Sequence, residues 1–130
     1  MRRYLFRGRN MALIVKKFGG SSVATTEKIM NVAKRVLSEK QPGDQIVMVV
    51  SAMGDTTDDL IKLAQGINKD PYQYTREMDM LLTTGEQVSI ALLAMAFKTL
   101  GQPAISLTGP MAGMQTNSVH TKGRIVDITP

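Results

Sequence analysis

The sequence contains no cysteine and no tryptophan, has a single histidine, and is aromatic at only 5% of its 130 positions. Without thiols there are no disulfide staples, thiolate nucleophiles or cysteine metal sites, which fits a reducing, cytoplasmic setting. His120 has no second imidazole to join it, so it reads as a polar loop residue rather than a metal ligand. No Ser-His-Asp arrangement can be argued from it. No apolar run approaches the ~20 residues needed to cross a bilayer, so no membrane is expected. Internal repeats, low-complexity tracts and linkers are also missing. Acidic residues are absent from residues 1–10, which hold Arg2, Arg3, Arg7 and Arg9. Those arginines supply most of the net charge of +5. Without them twelve basic residues, sixteen less four, face eleven acidic ones. This nearly neutral body shows no basic face with interleaved aromatics, so no nucleic-acid partner is expected. Residues 1–10 also lack both a hydrophobic period and the apolar segment of a signal peptide. They read as a non-native or disordered extension before a natural start at Met11, leaving 11–130 for the fold.

What is present is an apolar fraction of 43% and ten methionines, which read as core filler. A chain of this size buries roughly two-thirds of its unfolded surface, enough for a core. The most informative stretch is Lys17-Phe18-Gly19-Gly20-Ser21-Ser22. It follows an apolar run, Ala12–Val15, and precedes a segment of helical period, predicting a strand over Leu13–Phe18 and a helix over Thr26–Glu39. Glycines between a strand and a helix allow a sharp turn and close approach of the backbone to a ligand. A helix start with hydroxyl residues and a nearby lysine favours an anion such as phosphate. The stretch is neither a Walker A loop nor Gly-x-Gly-x-x-Gly. An ordinary strand-to-helix turn with a solvated lysine remains the plain alternative.

Gln41–Asp44 reads as a turn. Gln45–Ser51 is a second strand, apolar at consecutive positions, so both its faces are expected to be buried by helices in a parallel sheet. Strand, helix and strand in this order form a βαβ unit. Ser51–Asp58 is a second small, polar loop at a strand's carboxyl end, where open α/β sheets bind ligands. The helix after it is expected over Asp58–Ile67, with Leu60, Ile61, Leu63, Ala64 and Ile67 inward and Thr57 as its N-cap. Tyr74–Leu100 reads as helix, with Met78, Leu81, Leu82, Val88, Ala91, Leu92, Met95 and Ala96 inward. It is interrupted at Thr83–Glu86, where a glycine costs ~1 kcal/mol relative to alanine and implies close packing or a kink. Glu86 adjoins an almost wholly apolar segment. If buried it requires a protein partner or a cationic ligand such as an ammonium, and otherwise it is an exposed helix-start glutamate favoured by the dipole. Ala104–Thr108 is expected as a third strand, with short strands or a hairpin over Gly113–Ser118 and Arg124–Ile128. The fold class is therefore α/β, a mostly parallel open sheet with helices on both faces. It is incomplete, because the chain stops at Pro130 directly after an apparent strand and leaves an open edge. The expectation is the N-terminal part of a larger domain.

Three blocks in order carry a family resemblance. They are Lys17–Ser22, Ser51–Asp58, and Arg76–Leu82 followed by Thr84-Gly85-Glu86-Gln87. His120 with Gly123-Arg124-Ile125 and Asp127 also matches in kind. Together they resemble the amino acid kinase family, and within it the aspartate kinases, over Met11 to Pro130. The resemblance implies an amino acid kinase-like fold using ATP and Mg²⁺. Lys17 would be catalytic, contacting the transferring phosphate, and Lys17, Phe18, Gly19, Gly20 and Ser51 would bind ATP. Thr57 and Glu86 would bind L-aspartate, Glu86 through the substrate's ammonium. No metal ligand is assigned. The implied reaction gives 4-phospho-L-aspartate, the first step of the aspartate-derived route to lysine, threonine and methionine. Fragment status implies that these residues alone are inactive. The partners implied are the C-terminal half of the kinase domain, regulatory domains and, at full length, a homo-oligomer. Another amino acid kinase is the rival enzyme, and a non-catalytic nucleotide-binding module is the rival from a different class.

Overall fold

A computed structural model describes residues 11–129. The extension expected over residues 1–10 lies outside these described residues, as does Pro130. Strand β1 (Leu13–Phe18) leads through a short 3-10 turn (Gly20–Val23) to helix α1 (Thr26–Glu39) and strand β2 (Gln45–Val50). Helices α2 (Thr56–Ile67) and α3 (Thr75–Thr99) follow, and then strands β3 (Met114–Thr116) and β4 (Ile125–Ile128). The α/β class holds. β1 and β2 pair in parallel, with Leu13 opposite Gln45 and Phe18 opposite Val50. Parallel neighbours require a crossover, and α1 supplies it.

Helix α1 forms where its apolar period lies. The Thr25 side chain caps it by accepting from the Lys28 N–H at 3.2 Å. It buries Ile29, Val32, Ala33 and Val36 against Val50 of β2 and Leu93, Ala96 and Phe97 of α3. Those residues and Val23 form the core. Helix α3 is continuous for 25 residues through Gly85. Of the two outcomes expected at Gly85, the structure has close packing: a methyl group there would lie 3.1 Å from the Ala52 Cβ. By length and composition alone α3 could cross a bilayer. In this fold it is a core helix, packed on α1, α2 and β2.

Several expectations are corrected. Ala104–Thr108 forms no strand and pairs with none among the described residues, where the parallel sheet contains β1 and β2 alone. β2 is covered on one face only: Ile46, Met48 and Val50 meet the helices, whereas Val47 and Val49 are exposed, as are Leu13 and Val15 of β1. The second helical layer is therefore not supplied by the described residues. Helix α2 begins at Thr56 with Asp55 as N-cap, so Thr57 is not the cap. It buries no residue fully, and Leu63 and Ile67, expected inward, are 67% and 90% exposed because α2 packs chiefly on α3 and the turn after it. Val88 and Met95 of α3 likewise face outward. β3 and β4 form the expected antiparallel hairpin, with a bulge at Gln115/Thr116.

Candidate functional site

The parallel register delivers the first two polar loops to the same place. β1 and β2 end side by side, Phe18 opposite Val50, so the chain leaves both strands at one edge of the sheet. There the Ser51 N–H donates to the Phe18 carbonyl at 3.2 Å, and the Gly54 N–H donates to the Gly20 carbonyl at 3.0 Å. The loops also touch directly. A methyl group on Gly20 would lie 2.7 Å from the Ala52 carbonyl oxygen, closer than real contacts allow. Gly20 is thus required by the neighbouring loop. At Gly19 a methyl group would meet nothing within 4 Å, so the space beside it is open to a visitor. Its φ of −78° is one that any residue adopts.

Strand alternation separates two adjacent lysines. Lys16 points to the helical side and forms an ion pair with Glu39, whose carboxyl it holds below the usual range, aided by Arg35. Lys17 points to the opposite, uncovered side. Among the described residues it makes no ion pair and no side-chain hydrogen bond, so its charge is free for an anion. The Ser51 hydroxyl, half-buried at the head of the second loop, also has no partner among the described residues. Phe18 faces inward and packs on the core.

Thr57 lies in the first turn of α2, half-buried. Its neighbour Thr56 donates its hydroxyl to the Met53 carbonyl at 2.6 Å, while the Thr57 hydroxyl makes no bond among the described residues. Gly85 sets the position of Glu86. By packing on Ala52, Thr56 and Leu60 it brings α3 against the second loop and the start of α2. Glu86 is exposed, which removes the buried alternative, and it stands mid-helix, which also removes the helix-start alternative. It borders a cavity of about 890 Å³ between β2, α3 and residues 102–110. Among the described residues it has no ion-pair partner. The loops therefore bring Lys17, Gly19, Gly20, Ser51 and Thr57 to the carboxyl end of the strands, and Glu86 reaches the adjacent cavity beside Val49 and Val50.

The profile of the amino acid kinase family matches residues 12–129. The chain belongs to this family. It is 55% identical over 118 residues to aspartokinase 2 of Bacillus subtilis, aligning 91% of this chain with 28% of that protein. It is 53% identical over 120 residues to the aspartokinase of Corynebacterium glutamicum, covering 92% of this chain and 28% of that protein. Among solved structures, the aspartate kinase from Synechocystis superposes with a TM-score of 0.70 at 58% identity, covering 78% of this chain and 17% of that one. The chain thus spans little more than a quarter of the length of the curated relatives it matches.

One polar contact escaped the sequence reading. The Thr121 N–H donates to both oxygens of Asp79, at 3.0 and 3.1 Å, and His120 Nδ1 lies 2.9 Å from Asp79 Oδ2. The Thr121 contact, with help from His120, holds the Asp79 carboxyl below its usual range. This clip ties the β3–β4 loop to α3. It holds Thr121 at a φ of 60°, unusual for a β-branched residue. Both partners sit in matched blocks of the family pattern, but forty-odd residues separate them and no local period links them. No cluster of three or more carboxylates, imidazoles or thiols able to hold a metal occurs among the described residues.

Proposed function

We propose that this chain supplies the phosphate-binding and amino-acid-binding loops of an ATP-dependent kinase that phosphorylates the β-carboxylate of L-aspartate, as part of a longer polypeptide acting in the cytoplasm. The observation that carries this reading is the interlocked loop pair, with an unpaired Lys17 and open space at Gly19. The named aspartokinases among its relatives support it. In this reading the backbone N–H groups near Gly19 and Gly20 and the Lys17 ammonium receive the nucleotide's phosphates, with Ser51 beside them. Thr57 donates its hydroxyl to the aspartate, and Glu86 pairs with its ammonium.

The reaction breaks the bond between the γ-phosphorus and the bridging oxygen of ATP and forms a phosphorus–oxygen bond to the β-carboxylate, yielding 4-phospho-L-aspartate and ADP. The nucleophile is already an anion, so no general base is needed. What opposes the reaction is repulsion between two anions, and Lys17 lowers it by placing a fixed positive charge where they meet. The two loops contribute by holding both reactants at one edge. Mg²⁺ bound to the nucleotide would neutralise further phosphate charge. The described residues offer no carboxylate set to fix that ion, so this chain is assigned no part in holding it.

The test is a coupled ADP-release assay on the full-length polypeptide, with Lys17→Met and Glu86→Gln. Lys17→Met is expected to lower kcat by at least ~100-fold. Glu86→Gln is expected to act mainly on the KM for aspartate and leave that for ATP unchanged. Aspartate-independent ATP turnover, or a glutamate preference that survives in both variants, would reject the assignment. The same 130 residues alone are expected to release no ADP in the presence of aspartate.

A further inference from the structure

We infer that Asp79 is a positioning residue for the amino-acid substrate: by clamping the loop between β3 and β4 onto α3, it fixes this hairpin as the outer wall of the pocket that Glu86 borders. This rests on the proposed function, in which Glu86 meets the substrate's ammonium. Asp79 itself touches neither reactant and acts through the hairpin.

Placement is the first support. Asp79, Thr83, Glu86 and Ile90 follow one another at helical spacing, so they fall within about 60° around the axis of α3. Thr83, Glu86 and Ile90 border the cavity. Asp79 stands one turn beyond it, about 10 Å along the axis from Glu86. The hairpin region meets this side of the molecule twice. Its approach, Pro110, Ala112 and Met114, borders the same cavity. Its far loop brings the Thr121 N–H to both Asp79 oxygens, at 3.0 and 3.1 Å, and His120 Nδ1 to Oδ2 at 2.9 Å. The segment therefore spans the stretch of α3 that bears Thr83 and Glu86.

The second support is the lack of other anchors. β3 and β4 are exposed at every residue, so burial does not hold them in place. Among the described residues, the contacts with Asp79 are the only hydrogen bonds between residues 113–129 and α1, α2 or α3. Backbone strain is the third. Thr121, at a φ of 60°, is the only non-glycine residue with positive φ among the described residues. A β-branched residue stays there only where its surroundings over-determine it, and such outliers gather at ligand clamps. Here the paired bonds from the Thr121 N–H to Asp79 hold it. Charge is the fourth. Residues 113–124 contain Lys122 and Arg124 and no acid, and neither cation is ion-paired among the described residues. The wall that the clip fixes is thus net positive, the sign that suits an amino acid with two carboxylates.

The experiment measures coupled ADP release by the full-length polypeptide with Asp79→Ala, Asp79→Asn and His120→Ala, and amide hydrogen exchange in each. Asp79→Ala is expected to raise the KM for aspartate about tenfold and to leave kcat and the KM for ATP within about twofold. Asp79→Asn keeps one acceptor for the Thr121 N–H and is expected to raise the aspartate KM about threefold. His120→Ala is expected to raise it about threefold in the unmodified enzyme and not at all in the Asp79→Ala background, because both act through one clip. The amides of residues 117–124 are expected to exchange faster in Asp79→Ala while α1 and α3 stay protected. The inference is overturned if the aspartate KM of Asp79→Ala stays within about twofold, if both KM values rise equally, or if His120→Ala keeps its full effect without Asp79. Lost protection of α1 and α3 overturns it too, since Asp79 would then hold the fold rather than the pocket. If the unmodified enzyme releases no ADP in response to aspartate, the catalytic reading fails and this inference falls with it. A responsive enzyme with an unmoved KM rejects the clip alone.

Discussion

Gly19 and Gly20 are neighbours, yet alanine at the two positions is expected to have opposite effects. At Gly20 the new methyl carbon would stand 2.7 Å from the Ala52 carbonyl oxygen and 3.2 Å from that of Gly54. Close C–H···O contacts settle near 3.3–3.6 Å, so relief demands a shift of about 0.6 Å. Both obstacles are backbone, and no side chain can rotate away. Overpacking of this kind costs roughly 1–3 kcal/mol. Parting the loops also strains the hydrogen bond from Gly54 to Gly20, which contributes about 1 kcal/mol. Gly20→Ala should therefore destabilise the chain by about 2–4 kcal/mol. At Gly19 nothing is within reach and φ is −78°, so Gly19→Ala should be neutral or stabilising by about 0.4–1 kcal/mol through the unfolded state. In the proposed function the same methyl group would enter the space assigned to a phosphate and is expected to weaken nucleotide binding by about tenfold. Urea unfolding at constant slope reads the first quantity, and ATP titration of the full-length protein reads the second. A Gly20→Ala loss below ~0.5 kcal/mol, or a Gly19→Ala loss exceeding it, would refute the interlocked loops.

The paired lysines give a second contrast. Lys16→Met should remove an exposed ion pair, changing stability by no more than ~1 kcal/mol and leaving nucleotide affinity intact, whereas Lys17→Met should spare stability and weaken nucleotide binding. Acid should open the Asp79 clip. Its carboxyl titrates below the ordinary 3.8 when folded, so its contribution is complete above that value and is lost as pH falls through the lower folded one. Proteolysis of the β3–β4 loop should accelerate over that window, and Asp79→Asn should abolish the pH dependence of cleavage. Finally, Val36→Ala should cost roughly 2 kcal/mol in urea unfolding. Ile67→Gln should stay within about 0.5 kcal/mol, because Ile67 faces solvent.

Those contrasts mark where sequence was a sufficient guide. β1, α1 and β2 were legible because each is set by its own period and caps, and the parallel pair followed from their order. The same holds for the two loops at the strand ends. Residues 104–108 have a strand's composition but no partner, and pairing is a property of two segments that no single stretch encodes. β2 reads as buried on both sides because its composition anticipates a layer that the described residues do not contain. α3 runs unbroken through Gly85 because its packing on Ala52 outweighs a propensity penalty of about 1 kcal/mol. Glu86 stays open between a buried and a helix-start reading in sequence, because its place on the border of a cavity depends on how α3 packs. The Asp79 clip was invisible since its members meet only after folding.

The alternation that sets Lys16 and Lys17 back to back has one further consequence. Sliding β1 along β2 by one residue would invert every side chain in it. Glu39 would then capture what is now the free ammonium, and the cation already neutralised would be left at the ligand's doorstep. Deletion of Phe18, which moves both lysines by one position relative to the fixed loop, is thus expected to silence the site even if the two strands still associate.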